Sequence, residues 1–203
     1  HMLEWTRHKL QKKTQAFNSL ADAYDDLLYE YKETINYSEL HHPENEQFPS
    51  VDTPQTVSPQ DMENELRQLL EVLNLPGIEL SLQSATPKSW DEMNFCYAEY
   101  SRQRPEFLKL LGNRCQDECL AIGLRKEEIQ ILQQGISPEN FNTHLKIPLD
   151  FGGMVNINNF ALVQTHPTHE NLHKIIDVQL ENNFLQTYRK IFIPVFPGRI
   201  YHG

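Results

Sequence analysis

No stretch of this chain approaches the ~18 consecutive apolar residues of a membrane helix, so a spanning segment is excluded. The start, His1-Met2-Leu3-Glu4-Trp5-Thr6-Arg7, lacks the apolar core of a secretory signal. His1-Met2 reads as a cloning remnant, and on that reading a fragment with targeting signals outside it stays open. Cysteine is scarce. Cys96, Cys115 and Cys119 are odd in number and follow no framework spacing, so they are expected to be reduced thiols.

Positive charge is also short. The chain holds 18 Lys+Arg against 28 Asp+Glu, a net charge of −10. Nucleic-acid binders usually carry a basic footprint, so this balance argues against a large phosphate-gripping surface. The deficit is uneven, with 10 basic against 19 acidic residues in 1–110 and 8 against 9 in 111–203. The near-neutral second half leaves room for a small local phosphate site.

What remains is a chain of 203 residues and 23.8 kDa, 39% apolar and 23% charged. That size and composition fit one globular domain or two small ones.

Residues 5–35 have helical periodicity: Phe17, Leu20, Tyr24, Leu27, Leu28, Tyr31 and Ile35 recur at three and four residues. The expectation is an amphipathic helix within 1–39, either packed on its own domain or acting as a partner-binding arm. Residues 40–58 are proline-rich and poor in apolar side chains, as a linker or long loop would be. The His41-His42 pair in that stretch reads as solvated.

Ser58-Pro59-Gln60-Asp61 is a helix start: a serine cap, proline at the first position and an acid in the first turn. That helix should run to about Asn74 and stop before Pro76-Gly77. A second is expected from Ser89, a third over 105–122 ending at Gly123, and a fourth over 125–134 stopped by Gly135. Cys115 and Cys119 share a face of the third, as core thiols or as half of a metal site. Residues 59–135 thus read as wholly helical.

Beyond Gly135 the pattern changes. Residues 141–149 form an extended run, and Asp150-Phe151-Gly152-Gly153 is turn chemistry. Asn156-Ile157-Asn158-Asn159 is a polar loop, and Phe160-Ala161-Leu162-Val163-Gln164 is a short buried strand. A helix should then open near Pro167 and reach about Tyr188, with 194–203 as an extended tail. The expected class is mostly α, with a ββα unit in 136–203.

Three histidines in that unit form a constellation. His169 and His173 lie four apart at the helix start, so one turn presents both imidazoles on one face. His144 sits 25 residues before His169, on the first strand, and reaches the same point if the strands pair and the helix folds back over them. Three neutral imidazoles suit Zn, Ni, Mn or a similar divalent ion and leave positions open for water and substrate.

The segment His144-x-Lys146-x-Pro148-Leu149-x-x-Gly152-Gly153, then Asn159-Phe160-x-Leu162-Val163, then Pro167-x-His169-x-x-x-His173 resembles the HNH (ββα-metal, His-Me finger) nuclease motif. The variety it is most similar to is that of nuclease colicins and polymorphic toxin domains. The likeness covers about 35 of the 203 residues. It implies His144, His169 and His173 as ligands of one divalent ion (Zn, Mg, Mn or Ni). It implies Asn159, or its neighbour Asn158, as the residue holding the base histidine. The implied activity is a metal-dependent endonuclease, with DNA favoured over RNA. The implied setting is a bacterial toxin or effector domain, cytoplasmic or delivered into a target cell, with an immunity protein as a candidate partner and no membrane partner.

One position departs from the pattern. The residue after His144 is Leu145, where the family carries its base histidine, and leucine accepts no proton. General-base catalysis contributes ~10²–10⁴-fold, so this position matters most. Three explanations stay open: His166 serves as base; the fold is catalytically weakened and acts as a protein- or nucleic-acid-binding module; or the leucine was introduced to silence a toxic nuclease. Basic residues near the motif are few: Lys146, Lys174, Arg189, Lys190 and Arg199. Weak, salt-sensitive nucleic-acid affinity is expected. His202, in the tail, reads as a surface residue.

Overall fold

The hairpin of Phe141–Leu145 and Phe160–Gln164, which carries the motif, is buried on both faces, and this arrangement organises the rest of the fold. A computed structural model describes Lys13 and residues 57–203. Apart from Lys13, the expected helix in 5–35 lies outside the described residues, as do the His41-His42 pair and the 40–58 stretch up to residue 56.

Helix α1 (Pro59–Val72) begins as expected, with the Ser58 hydroxyl accepting the Asp61 N–H at 3.1 Å. Strand β1 (Glu79–Ser84) follows. Helix α2 (Trp90–Arg114) opens on a capping box in which the Glu92 N–H donates to the Ser89 hydroxyl and the Ser89 N–H donates to the Glu92 carboxylate. Short helices α3 (Gln116–Ala121) and α4 (Lys126–Gln133) come next. Strands β2 (Phe141–Leu145) and β3 (Phe160–Gln164) are joined by a loop with a 3₁₀ turn at Leu149–Phe151. A wide turn at Thr165–His169 leads into α5 (Glu170–Glu181), then α6 (Phe184–Tyr188), β4 (Lys190–Val195) and β5 (Ile200–Tyr201).

The architecture is mixed α/β, which corrects the mostly α expectation in part: helices dominate, but there are two small sheets. In one, β1 pairs antiparallel with β4, Glu79 opposite Val195 and Ser84 opposite Lys190. In the other, β2 pairs antiparallel with β3, His144 opposite Ala161, and β5 adds in parallel along β3. The wholly helical reading of 59–135 therefore fails at β1. The alternation Leu80-Ser81-Leu82-Gln83 carried a strand signal, and its partner β4 lies more than a hundred residues away in sequence.

The second and third expected helices are one. Pro105 sits inside α2, where a proline costs ~3 kcal/mol by removing a hydrogen bond and crowding the preceding turn. Burial outweighs it: Met93, Tyr100, Phe107, Leu108 and Leu111 all lie in one core with Ile129 and Leu132 of α4. At the crossing, a side chain on Gly112 would meet the Gln133 backbone at 2.6 Å, so only glycine permits this approach. The helix expected to reach Tyr188 breaks at Asn182-Asn183, where Asn183 takes a left-handed φ of 55°.

The hairpin's two faces divide the cores. Leu145, Phe160 and Leu162 pack onto α2–α4, with Phe160 5.5 Å from Tyr100 and 5.4 Å from Phe107 between ring centroids. Ala161 and Val163 pack the other way, against Met62, Leu66 and Leu70 of α1 and Leu172 and Ile175 of α5. Among the described residues no helix is long and apolar enough to cross a membrane.

Candidate metal centre

Strand alternation sends His144 and Asn142 to the α5 side of the hairpin, opposite to Leu145. The wide turn after β3 is extended at His166 (φ −127°, ψ 131°), and the backbone is helical at His169, which flanks the start of α5. One turn on, His173 comes up beside it. Helix α5 lies back over the hairpin, so a strand and a helix remote in sequence supply one cluster.

The three rings converge. Centroid separations are 5.4 Å for His144–His169, 5.7 Å for His144–His173 and 4.6 Å for His169–His173. All three side chains are buried, and one nitrogen from each lies within 4.8 Å of the others, close enough to bind a metal ion. The His169 and His173 Nε2 atoms are 3.0 Å apart. Two imidazoles sharing a tetrahedral ion at ~2.0–2.1 Å hold their nitrogens at about 3.3 Å, so the observed pair needs little adjustment. His144 Nε2 is buried without a hydrogen-bond partner. Such an atom costs ~1–3 kcal/mol, a penalty that ligation removes. The donor set and this orphaned atom both fit a divalent cation.

Electrostatics favour the ligating form. Burial, then the neighbouring His169 and His173, hold the His144 imidazole well below its ordinary value. Burial, with His173 beside it, pushes His169 down to about 3. Burial pushes His173 down to about 4, against the opposing pull of the Asp177 carboxylate one turn further along α5. All three are neutral at pH 7, the state in which imidazole binds metal.

Neighbours that the sequence reading missed orient the rings. Asn142 places its amide 3.5 Å from His169 Nδ1. The amide atom facing the ring is Nδ2, and an amide flip would present the oxygen to the same ring nitrogen. Phe196 stacks on His144, with centroids 6.2 Å apart and planes 21° apart. Asn142 and Asp177 were findable, two residues before His144 on a strand and four after His173 on a helix. Phe196, arriving from the tail, had no such signal.

The other expected site residues lie around this cluster in different ways. Asn159 holds the loop: it accepts the Ile147 N–H at 3.0 Å and donates to the Ile147 and Met154 carbonyls at 2.9 and 3.0 Å. Its partners are backbone groups of the β2–β3 loop. Asn158 bonds through its own N–H to the Asn156 side chain at 3.0 Å. His166 is 67% exposed and pairs through Nδ1 with Glu170 at 2.7 Å. Leu145 is buried in the helical core, away from the three imidazoles. The cysteines are free thiols, with Cys115 and Cys119 buried in the α2–α4 core. His202 is exposed.

The glycine pair is explained by the same loop. Gly152 has φ +86°, and a side chain on Gly153 would collide with the Ile147 carbonyl oxygen. Lys88 caps the turn, donating to the Leu149 and Gly153 carbonyls. Among the described residues the three histidines are the compact group of potential metal ligands. No protein-family model, no curated protein and no solved structure matches the chain.

Proposed function

We propose that this chain is a metal-dependent endonuclease of the HNH kind, acting on DNA in preference to RNA and serving as a toxin or effector domain. The observation that carries this reading is the convergence of three buried, neutral imidazoles on a strand–strand–helix unit, together with the motif resemblance of the residues that build it.

His144, His169 and His173 would hold one cation. Three nitrogen donors favour Zn, Ni or Mn over Mg, which prefers oxygen. When bound, the ion supplies positive charge for the scissile phosphate and the leaving oxygen. Every other part of the task falls to the protein. Asn142 lies against the His169 ring and orients it, and Asn159 keeps the β2–β3 loop folded beside the ligands. His166 is the base of this reading: Glu170 accepts its Nδ1 proton at 2.7 Å, which leaves Nε2 to take a proton from water.

A second reading has its own observation. Leu145 occupies the family's base position and is packed in the helical core, so that position offers no proton acceptor. On this reading the fold binds metal and nucleic acid or protein without efficient cleavage.

A plasmid-nicking assay with Mg, Mn, Ni and Zn decides between them. Cutting by the parent that disappears in His169→Ala, and falls by about 10²–10⁴-fold in His166→Ala with metal content unchanged, is the expected result. A parent that retains metal and binds plasmid without nicking it supports the binding module and sinks the nuclease.

A further inference from the structure

We infer that Lys146 and Arg199 form a subsite for one phosphate group beside the histidine centre. The inference rests on the reading of that centre as a phosphodiester site.

Five basic residues lie near the motif in sequence, and the fold brings two of them together. Lys174 is exposed and tied to the Asn171 side chain at 3.0 Å. Arg189 and Lys190 are exposed at the start of β4, on the other sheet. Lys146 follows His144 by two residues and shares its face of the hairpin. Its Nζ lies 5.6 Å from the centroid of the Phe196 ring, the same ring that stacks on His144. Arg199 reaches this place through the sheet. His144 stands opposite Ala161, Leu162 stands opposite Ile200, and the Leu162 N–H donates to the Arg199 carbonyl at 2.8 Å. His144, Ala161 and Arg199 therefore fall in one row across β2, β3 and the start of β5. Ile200 packs toward the α2–α4 core and Tyr201 toward α5, so alternation turns Arg199 to the α5 side with His144.

Both cations are half-buried, and neither has an ion pair with a described carboxylate. Two like charges on one side of the sheet repel each other. A shared anion reverses that sign. Phosphate is the anion that fits, because its oxygens can meet an ammonium, a guanidinium and an adjoining cation centre at once. A chain with net charge −10 needs such local placement to hold a phosphate at all.

The test is a titration of the zinc-loaded full chain with inorganic phosphate, followed by calorimetry, with zinc content measured on every sample. The parent should bind phosphate. Lys146→Gln and Arg199→Gln should each weaken binding about tenfold with zinc content unchanged, and Lys146→Arg should keep most of it. Phosphate affinity that is absent in the parent, or that stays at the parent's value in both glutamine variants, overturns the subsite. A parent that retains no zinc removes the metal reading, while the same titration across the variants still decides the cation pair. A short DNA duplex that displaces phosphate assigns the group to a nucleic-acid backbone. Phosphate that resists displacement keeps the subsite and assigns it to free phosphate.

Discussion

His144 and Leu145 are adjacent in β2 and face opposite sides of the sheet: the imidazole joins His169 and His173, and the leucine enters the core with Phe160 and the α2–α4 helices. One residue of register separates a candidate metal ligand from a packing side chain. This makes Leu145 a structural residue as well as a departure from the nuclease pattern.

Replacing that leucine by histidine should therefore add no cutting beyond the parent's. Leu145→His places an imidazole among Leu149, Phe160 and Leu162, where it has no water. The expected loss is about 3 kcal/mol, from lost apolar burial and a stranded polar ring. Urea unfolding would measure it. A variant as stable as the parent that also gains nicking activity would show that position 145 reaches the centre.

Zinc should stabilise the folded chain through the three histidines. At a free concentration about a hundred times Kd the gain is ~2.7 kcal/mol, or roughly 5–10 °C in melting temperature for a chain of this size. A chelator should reverse it. His173→Ala should abolish the shift, as read by differential scanning fluorimetry with and without zinc. An undiminished shift in that variant would place the ion elsewhere.

Acid should destabilise the metal-free protein over a defined window. The three imidazoles are depressed in the folded state, His169 to about 3 and His173 to about 4, from an ordinary value of 6.5. Between those values the unfolded chain binds protons that the folded chain refuses. Stability is therefore full above pH 6.5 and falls as pH drops toward 4, by about 1 kcal/mol per pH unit for each group. Denaturant midpoints at pH 7.5, 6 and 5 would reveal it. The triple variant carrying alanine at 144, 169 and 173 should show a flatter profile.

The loop beside the centre should not tolerate a side chain at Gly153. An added Cβ meets the Ile147 carbonyl and lies 2.6 Å from the Pro148 carbonyl, both backbone atoms. Gly153→Ala should lose stability by about 2 kcal/mol or more and weaken zinc binding, because Asn159 anchors the same loop next to His144. Gly77→Ala is the comparison. Unlike Gly153 it has a positive φ (+71°), and its Cβ meets nothing within 4 Å, so it carries conformational strain without collision.

Much of the site was legible in one dimension because its geometry is local. His169 and His173 share a helix face by spacing alone, and Gly152-Gly153 announced a turn whose φ and close approach do require glycine. Ser58-Pro59 marked the true start of α1. The errors arose where distant packing outweighed a local rule. Pro105 stays inside α2 because the buried face on either side of it continues. Residues 79–84 become a strand because β4 supplies the missing hydrogen bonds.

The amino-acid order alone determined which imidazoles could meet on one face and which residue types could hold a cation, since rotation per residue and donor chemistry are fixed by the chain itself. Only the tertiary structure decided that His144 joins them, that Leu145 turns away, and that Phe196 covers the result. Those outcomes depend on which faces of a thin hairpin are buried against which helices, a choice made by the free energy of the whole core rather than by any neighbouring residue.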